Sequence, residues 1–110
     1  MSEKIQINPN LDIPLGELWF KFARSGGKGG QNVNKVETKV ELLFDVGNST
    51  SLSNHQRDII LRNLKSQIDS NGLLHIVSQQ SRSQWKNRED AVRKFIELLQ
   101  KALKQKKKRI

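Results

Sequence analysis

From Lys35 to Val46 the chain reads KVETKVELLFDV. Val36, Thr38, Val40, Leu42, Phe44 and Val46 fall on one side of an extended backbone, and Glu37, Lys39, Glu41 and Asp45 on the other. Alternation of that length describes an antiparallel strand with one face on a core and the other towards water or a partner. The segment before it is of the opposite kind. GGKGG at 26–30 places four glycines in five residues, followed by Gln31, Asn32 and Asn34. Further upstream, ELWFKFA at 17–23 alternates Leu18, Phe20 and Phe22 against Trp19, Lys21 and Ala23, a second strand. Two paired strands joined by a loop far longer than a tight turn are therefore expected. Long loops kept out of regular structure usually carry function.

The remaining elements follow from period and punctuation. Residues 1–16 show no clear period and are interrupted by Pro9, Pro14 and Gly16, so no strand is assigned there. Ser53 with Gln56 three residues on forms a capping-box pattern. It predicts a helix from about Asn54 to Ile68 that buries Ile60, Leu64 and Ile68 with help from Leu61. DSNG at 69–72 ends it, with Asn71 or Gly72 suited to a left-handed conformation. LLHIVSQ reads as a third strand. A second helix is expected from near Arg88, with Ala91, Phe95, Leu98, Leu99 and Ala102 as its apolar stripe. Glu89 and Asp90 would sit in its first turn, and Lys101 and Lys104 near its end, as the helix dipole favours. The expected fold class is α+β: a small antiparallel or mixed sheet in the order β-β-α-β-α, with the glycine loop between the first two strands.

At 110 residues, 35% of them apolar, the chain has room for one domain and a modest core. Residues 1–103 are expected to form it, with 104–110 a short basic tail. The absence of cysteine removes thiolate nucleophiles and disulfides and fits a reducing compartment. His55 and His75 stand twenty residues apart without a carboxylate cluster in metal spacing, so neither a metal nor any other cofactor is expected. Both are read as packing or capping residues. There is no apolar run long enough for a membrane span, and MSEKIQINPN lacks the apolar core of a signal peptide, so a cytoplasmic protein is expected. Residues 1–78 carry nine Lys/Arg against eight Asp/Glu, whereas 79–110 carry eleven against three. An excess concentrated in the last third points to a polyanionic partner, nucleic acid first and an anionic membrane second.

The glycine segment matches none of the common phosphate-binding loops, because it leads into a strand where those lead into a helix. Glycines at 29–30 permit positive φ and close approach of bare backbone to another molecule. Such backbone can aim N–H groups at a developing oxyanion. Gln31 cannot act as a proton-accepting base near neutral pH, but its amide can orient a water molecule. No general base stands nearby in sequence, so the segment is either an ordinary surface loop or half of an active site whose remainder a partner or substrate supplies.

Gly29-Gly30-Gln31 followed by NVNKVET resembles the catalytic loop of class-I peptide chain release factors. From about Pro14 to the last helix, including RSQWKNRE at 82–89, the chain resembles the codon-independent ribosome-rescue peptidyl-tRNA hydrolases of the alternative rescue factor B type. Asn34, Lys35, Arg82, Ser83, Gln84, Asn87 and Arg88 add specificity to the three-residue match. The resemblance implies a monomeric factor whose partners are the ribosome, at its peptidyl-transferase centre, and peptidyl-tRNA. It makes Gly29, Gly30 and Gln31 the catalytic loop, supported by Gly26, Gly27, Lys28, Asn32, Asn34 and Lys35. Candidate RNA contacts are Arg24, Lys28, Arg82, Arg88, Lys101, Lys104, Lys106, Lys107, Lys108 and Arg109. Arg82 and Arg88 are also candidates for tying the last helix to the sheet, the reading favoured for them. The loop departs from the family in Gly26-Gly27-Lys28, where Ser-Gly-Pro or Ser-Gly-Ala is common. The family's longer basic extension is represented here by KQKKKRI.

Two rivals to a hydrolase stand beside it. One is a non-catalytic ribosome- or tRNA-binding module using the same charge and loop. The other is a membrane-surface protein, disfavoured because the expected last helix lacks large aromatic anchors. Of the aromatic residues, Trp19 and Trp85 are candidates for base stacking, whereas Phe20, Phe22, Phe44 and Phe95 are assigned to the core.

Overall fold

A computed structural model of the chain describes residues 3–25 and 37–104, with the backbone alone at Arg24, Ser25 and Glu37. Its architecture is α+β. The central sheet holds β3 (Leu18–Ser25), β4 (Glu37–Asp45) and β5 (Leu73–Ser78), all antiparallel, with β4 in the middle. Leu18 lies opposite Phe44 and Phe44 opposite Leu74, while Phe20, Leu42 and Ile76 form the next row. Val40, Leu42, Phe44 and Val46 are fully buried, so the alternation from Lys35 to Val46 sets the register of the core.

Residues 1–16 correct the expectation drawn from their sequence. They hold an antiparallel hairpin, β1 (Lys4–Asn8) and β2 (Leu11–Pro14), that buries Ile7, Leu11 and Ile13. Pro9 sits in the turn, where a missing N–H costs no ladder bond, and Asn8 Oδ1 accepts the Asn10 amide at 2.8 Å. The two prolines thus bound short strands, which is why no period was legible there. The described order is consequently two strands longer at its start than β-β-α-β-α.

α1 (Asn54–Asn63) starts at the expected capping box: the Gln56 amide donates to Ser53 Oγ at 3.0 Å, and Ser53 N donates to Gln56 Oε1 at 2.9 Å. It stops earlier than expected. Lys65–Gln67 tighten into a 3-10 turn, and Ile68 leaves the helix to bridge Leu74. Ile59, unassigned by the sequence, is buried beside Ile60. Gly72 takes the left-handed conformation at φ +83°, closing the turn into β5.

α2 (Gln84–Leu103) lies across the sheet and begins four residues before the expected start. Its N-cap is Ser83, whose Oγ accepts the Lys86 amide at 3.2 Å. Glu89 and Asp90 accordingly fall in its second turn. The early start was hidden because the stripe's first buried member is polar: Asn87 continues Ala91, Phe95, Leu99 and Ala102 one turn back, fully buried. The Phe95 ring meets Phe44 edge-on, centroids 5.2 Å apart, at the middle of the core. Phe20 is partly buried, but Phe22 is 54% exposed and does not belong to the core assigned to it.

Candidate functional site

Gly26, Gly27, Lys28, Gly29, Gly30, Gln31, Asn32, Asn34 and Lys35 lie outside the described residues, as do Lys106, Lys107, Lys108 and Arg109. What is described is the mount from which residues 26–36 depart and to which they return. β3 and β4 pair continuously from Leu18 opposite Phe44 to Ser25 opposite Glu37. Both ends of the glycine segment are therefore held at one end of the sheet by the last pair of the ladder.

A buried polar knot ties that end to the start of α2. Asn87, 0% exposed, donates through Nδ2 to Thr38 Oγ1 at 2.9 Å and to the Ser81 carbonyl at 2.8 Å. Its Oδ1 accepts the Ser81 amide at 2.9 Å, and Ser78 Oγ lies at 3.4 Å. Thr38 Oγ1 in turn donates to the Ser81 carbonyl at 2.7 Å. One amide thus joins β4, the end of β5 and the turn before α2, one residue beyond the Ser25–Glu37 pair. A buried amide earns such a position only when its hydrogen bonds are met, and here both its atoms are engaged. The sequence marked Asn87 through RSQWKNRE; Thr38, read there only as a strand residue, acquires its role from the fold.

Next to the knot, Ser78 Oγ donates to Asp90 Oδ2 at 2.8 Å. Burial pushes the Asp90 carboxyl up, but the Ser78 hydroxyl and the Lys94 and Arg93 cations outweigh it and hold the group below its ordinary range. Gln84 Oε1 is buried without a hydrogen-bond partner among the described residues.

The candidate RNA contacts separate into two groups. Arg82 and Arg88 stand at the loop end of the molecule, beside the knot. Arg88 lies over two rings, its Cζ 4.6 Å from the Phe20 centroid and 5.5 Å from that of Trp85. It therefore joins α2 to β3 while keeping its charge near the surface. Lys101 and Lys104 stand at the other end of α2, a helix of 20 residues and so about 30 Å away. There Gln100 Nε2 donates to the Ile7 carbonyl at 2.8 Å and Asn63 Nδ2 to that of Ala102 at 2.9 Å, fixing the helix end against β1 and α1.

His75 lies away from the loop end, on the sheet face opposite α2. Its Nδ1 is 2.7 Å from Glu41 Oε2 and its Nε2 is 2.8 Å from Asp69 Oδ2. Hydrogen bonds to Asp69 and Glu41 hold the imidazole above its ordinary value of 6.5, and the bond to His75 holds the Asp69 carboxyl low. It is an ionic clamp between β5, β4 and the turn before β5. Among the described residues no group of three His, Cys, Asp or Glu is arranged to hold a metal ion, and no helix is long and apolar enough to cross a membrane.

The family model described as "RF-1 domain" matches residues 4–110. The chain is 40% identical over 105 residues to "Peptidyl-tRNA hydrolase ArfB" of Pseudomonas putida, covering 96% of this chain and 76% of that protein. It is 34% identical over 90 residues to "Large ribosomal subunit protein mL62" of Mus musculus, covering 82% of this chain and 44% of that one. A shorter stretch of 32 residues is 59% identical to "Peptide chain release factor PrfB1, chloroplastic" of Arabidopsis thaliana, 29% of this chain and 7% of that protein.

Proposed function

Because the chain belongs to the RF-1 domain family, we propose that it is a ribosome-dependent peptidyl-tRNA hydrolase that frees stalled ribosomes without reading a codon. What carries this reading is the identity to a peptidyl-tRNA hydrolase along 96% of the chain, together with Gly-Gly-Gln at 29–31 in a segment anchored by the β3–β4 ladder. Residues 1–103 form the catalytic domain and 104–110 its basic tail, and the protein acts as a cytoplasmic monomer.

In this mechanism water attacks the carbonyl carbon of the ester that joins peptide to tRNA. The carbonyl oxygen takes up negative charge, and the Gln31 backbone N–H stabilises it. Gly29 and Gly30 let that backbone approach without a side chain in the way, and the Gln31 amide orients the water. The ester C–O bond then breaks. The peptide leaves as a carboxylic acid, and the proton from water ends on the terminal hydroxyl of the tRNA. Ribosomal RNA and the tRNA 3′ end supply the remainder of the site, since Gln31 is no base. Gly26, Gly27, Lys28, Asn32, Asn34 and Lys35 shape the loop. Arg24, Arg82, Arg88, Lys101, Lys104 and the tail cations Lys106, Lys107, Lys108 and Arg109 add phosphate contacts.

Peptide release from ribosomes stalled on a truncated message tests this reading. Wild type should release peptide, and Gln31→Ala, which keeps the backbone N–H but loses the amide that orients the water, should cut the rate by about 10²-fold at unchanged ribosome affinity. The name of the mouse relative, a large ribosomal subunit protein, favours a second reading in which the chain is a ribosome-bound component without hydrolytic work. That reading requires binding with no release by either protein.

A further inference from the structure

Phe22 on β3 and Trp85 on α2 are 54% and 61% exposed, and both lie at the loop end of the molecule, apart from the exposed Trp19 near the start of β3. They end a continuous row. The Phe22 ring stacks with Phe20 at 6.4 Å between centroids and 24° between planes, and Arg88 lies over both Phe20 and Trp85. The guanidinium thus bridges two rings, each within the distance at which a cation and a π face attract. Arg88 gains position from this, whereas the outer faces of Phe22 and Trp85 gain nothing from the fold. Large aromatic surface left open beside a fixed cation marks a contact.

We propose that this row is a stacking platform for unpaired RNA nucleotides, one base on Trp85 and a second on Phe22, with the phosphate between them held by Arg88 and its neighbours. RNA is the occupant that the local charge selects. Residues 79–90 carry Arg82, Lys86 and Arg88 against Glu89 and Asp90, and Asp90 is already paired with Arg93 and Lys94, so the net charge around Trp85 favours a polyanion. Unpaired bases are the form of RNA that aromatic rings and arginine planes recognise, because paired bases bury their faces in the helix. The row begins four residues before Gly26 on β3 and ends in the first turn of α2, next to the Asn87 knot. The platform rests on the proposed function: a loop that enters an RNA cavity brings this surface against the cavity wall.

The test uses the full chain, stalled ribosomes and a single-stranded RNA oligonucleotide. Trp19→Phe leaves Trp85 as the sole tryptophan, whose emission the oligonucleotide should quench. Trp85→Ala should weaken ribosome binding about tenfold, and Phe22→Ala somewhat less, with the salt dependence unchanged because no phosphate contact is lost. Trp85→Phe should recover most of the affinity. Each variant's melting temperature confirms that it is folded. Ultraviolet cross-linking on the ribosome should join Trp85 to RNA. Unchanged affinity of Trp85→Ala together with unquenched Trp85 emission would overturn the platform, as would cross-links to a ribosomal protein alone. Failure here is separable from failure of the function: wild type that releases peptide while Trp85→Ala binds equally well disproves only the platform, and wild type that releases nothing disproves the hydrolase.

Discussion

The two ends of α2 hold the molecule together by different means. At its C-terminal end the helix buries Leu99 and Ala102 in the same apolar core as Ile7, Leu11 and Ile13 of the hairpin, with the hydrogen bonds of Gln100 to Ile7 and Asn63 to Ala102 at its margin. At its N-terminal end it buries an amide, and Asn87 joins Thr38, Ser78 and Ser81 by hydrogen bonds of fixed direction. Apolar packing is non-directional and tolerates small shifts, whereas a satisfied polar network fixes angles. The end next to the glycine segment is the one held by a fully buried side-chain network, centred on Asn87. Under the proposed mechanism, a loop that presents Gln31 to a reacting ester needs a rigid mount, since small displacements of a catalytic group cost large factors in rate.

The largest effect should come from breaking what both ends share. Phe95→Ala removes the ring set against Phe44 and should cost about 3–5 kcal/mol, read by urea unfolding, with release and binding lost together as the fold weakens. Asn87→Leu should break the comparison at one end. It strands the Ser81 amide and its partners and should cost about 2–3 kcal/mol. It should also slow peptide release more than its stability loss explains, while amide exchange quickens around Thr38 and Ser81 and stays unchanged in the hairpin. Equal exchange at both ends would contradict the fixed-base argument.

A smaller effect belongs to His75. Its folded pKa stands above 6.5, so the stability from its clamp is complete below that value and is lost as pH rises through the folded value. Asp69, held low, contributes above its ordinary 3.8 and loses its share as pH falls through its own folded value. His75→Gln should therefore lower the melting temperature by roughly a few degrees at about pH 6 and by less as pH rises, because partly exposed ion pairs are weak. The smallest effect should come from Lys101→Gln with Lys104→Gln. Stability should change by less than about 0.5 kcal/mol, while the salt slope of ribosome binding falls by about two.

How much of this could be read beforehand differs by element. The β4 alternation, the Ser53–Gln56 cap and the left-handed Gly72 are local patterns, and each stands where the sequence places it. The hairpin of residues 4–14 was not legible, because strands of five and four residues give too few repeats to show a period around two prolines. The start of α2 was missed because its stripe there is completed by an asparagine. Phe22 was misassigned because alternation tells which face of β3 it occupies but not how far α2 extends over that face.

The residues of this chain determine by themselves where its longer strands and helices lie, which glycines and amides stand together at 26–34, and where the positive charge collects. These are properties of local spacing and side-chain chemistry, and they need no knowledge of what lies opposite. Only the tertiary structure decided that Asn87 would find Thr38 forty-nine residues away and that Arg88 would lie over the ring of Phe20, a residue of β3. Those pairings depend on the crossing of α2 over the sheet, which is set by the summed packing of the whole core rather than by any one segment.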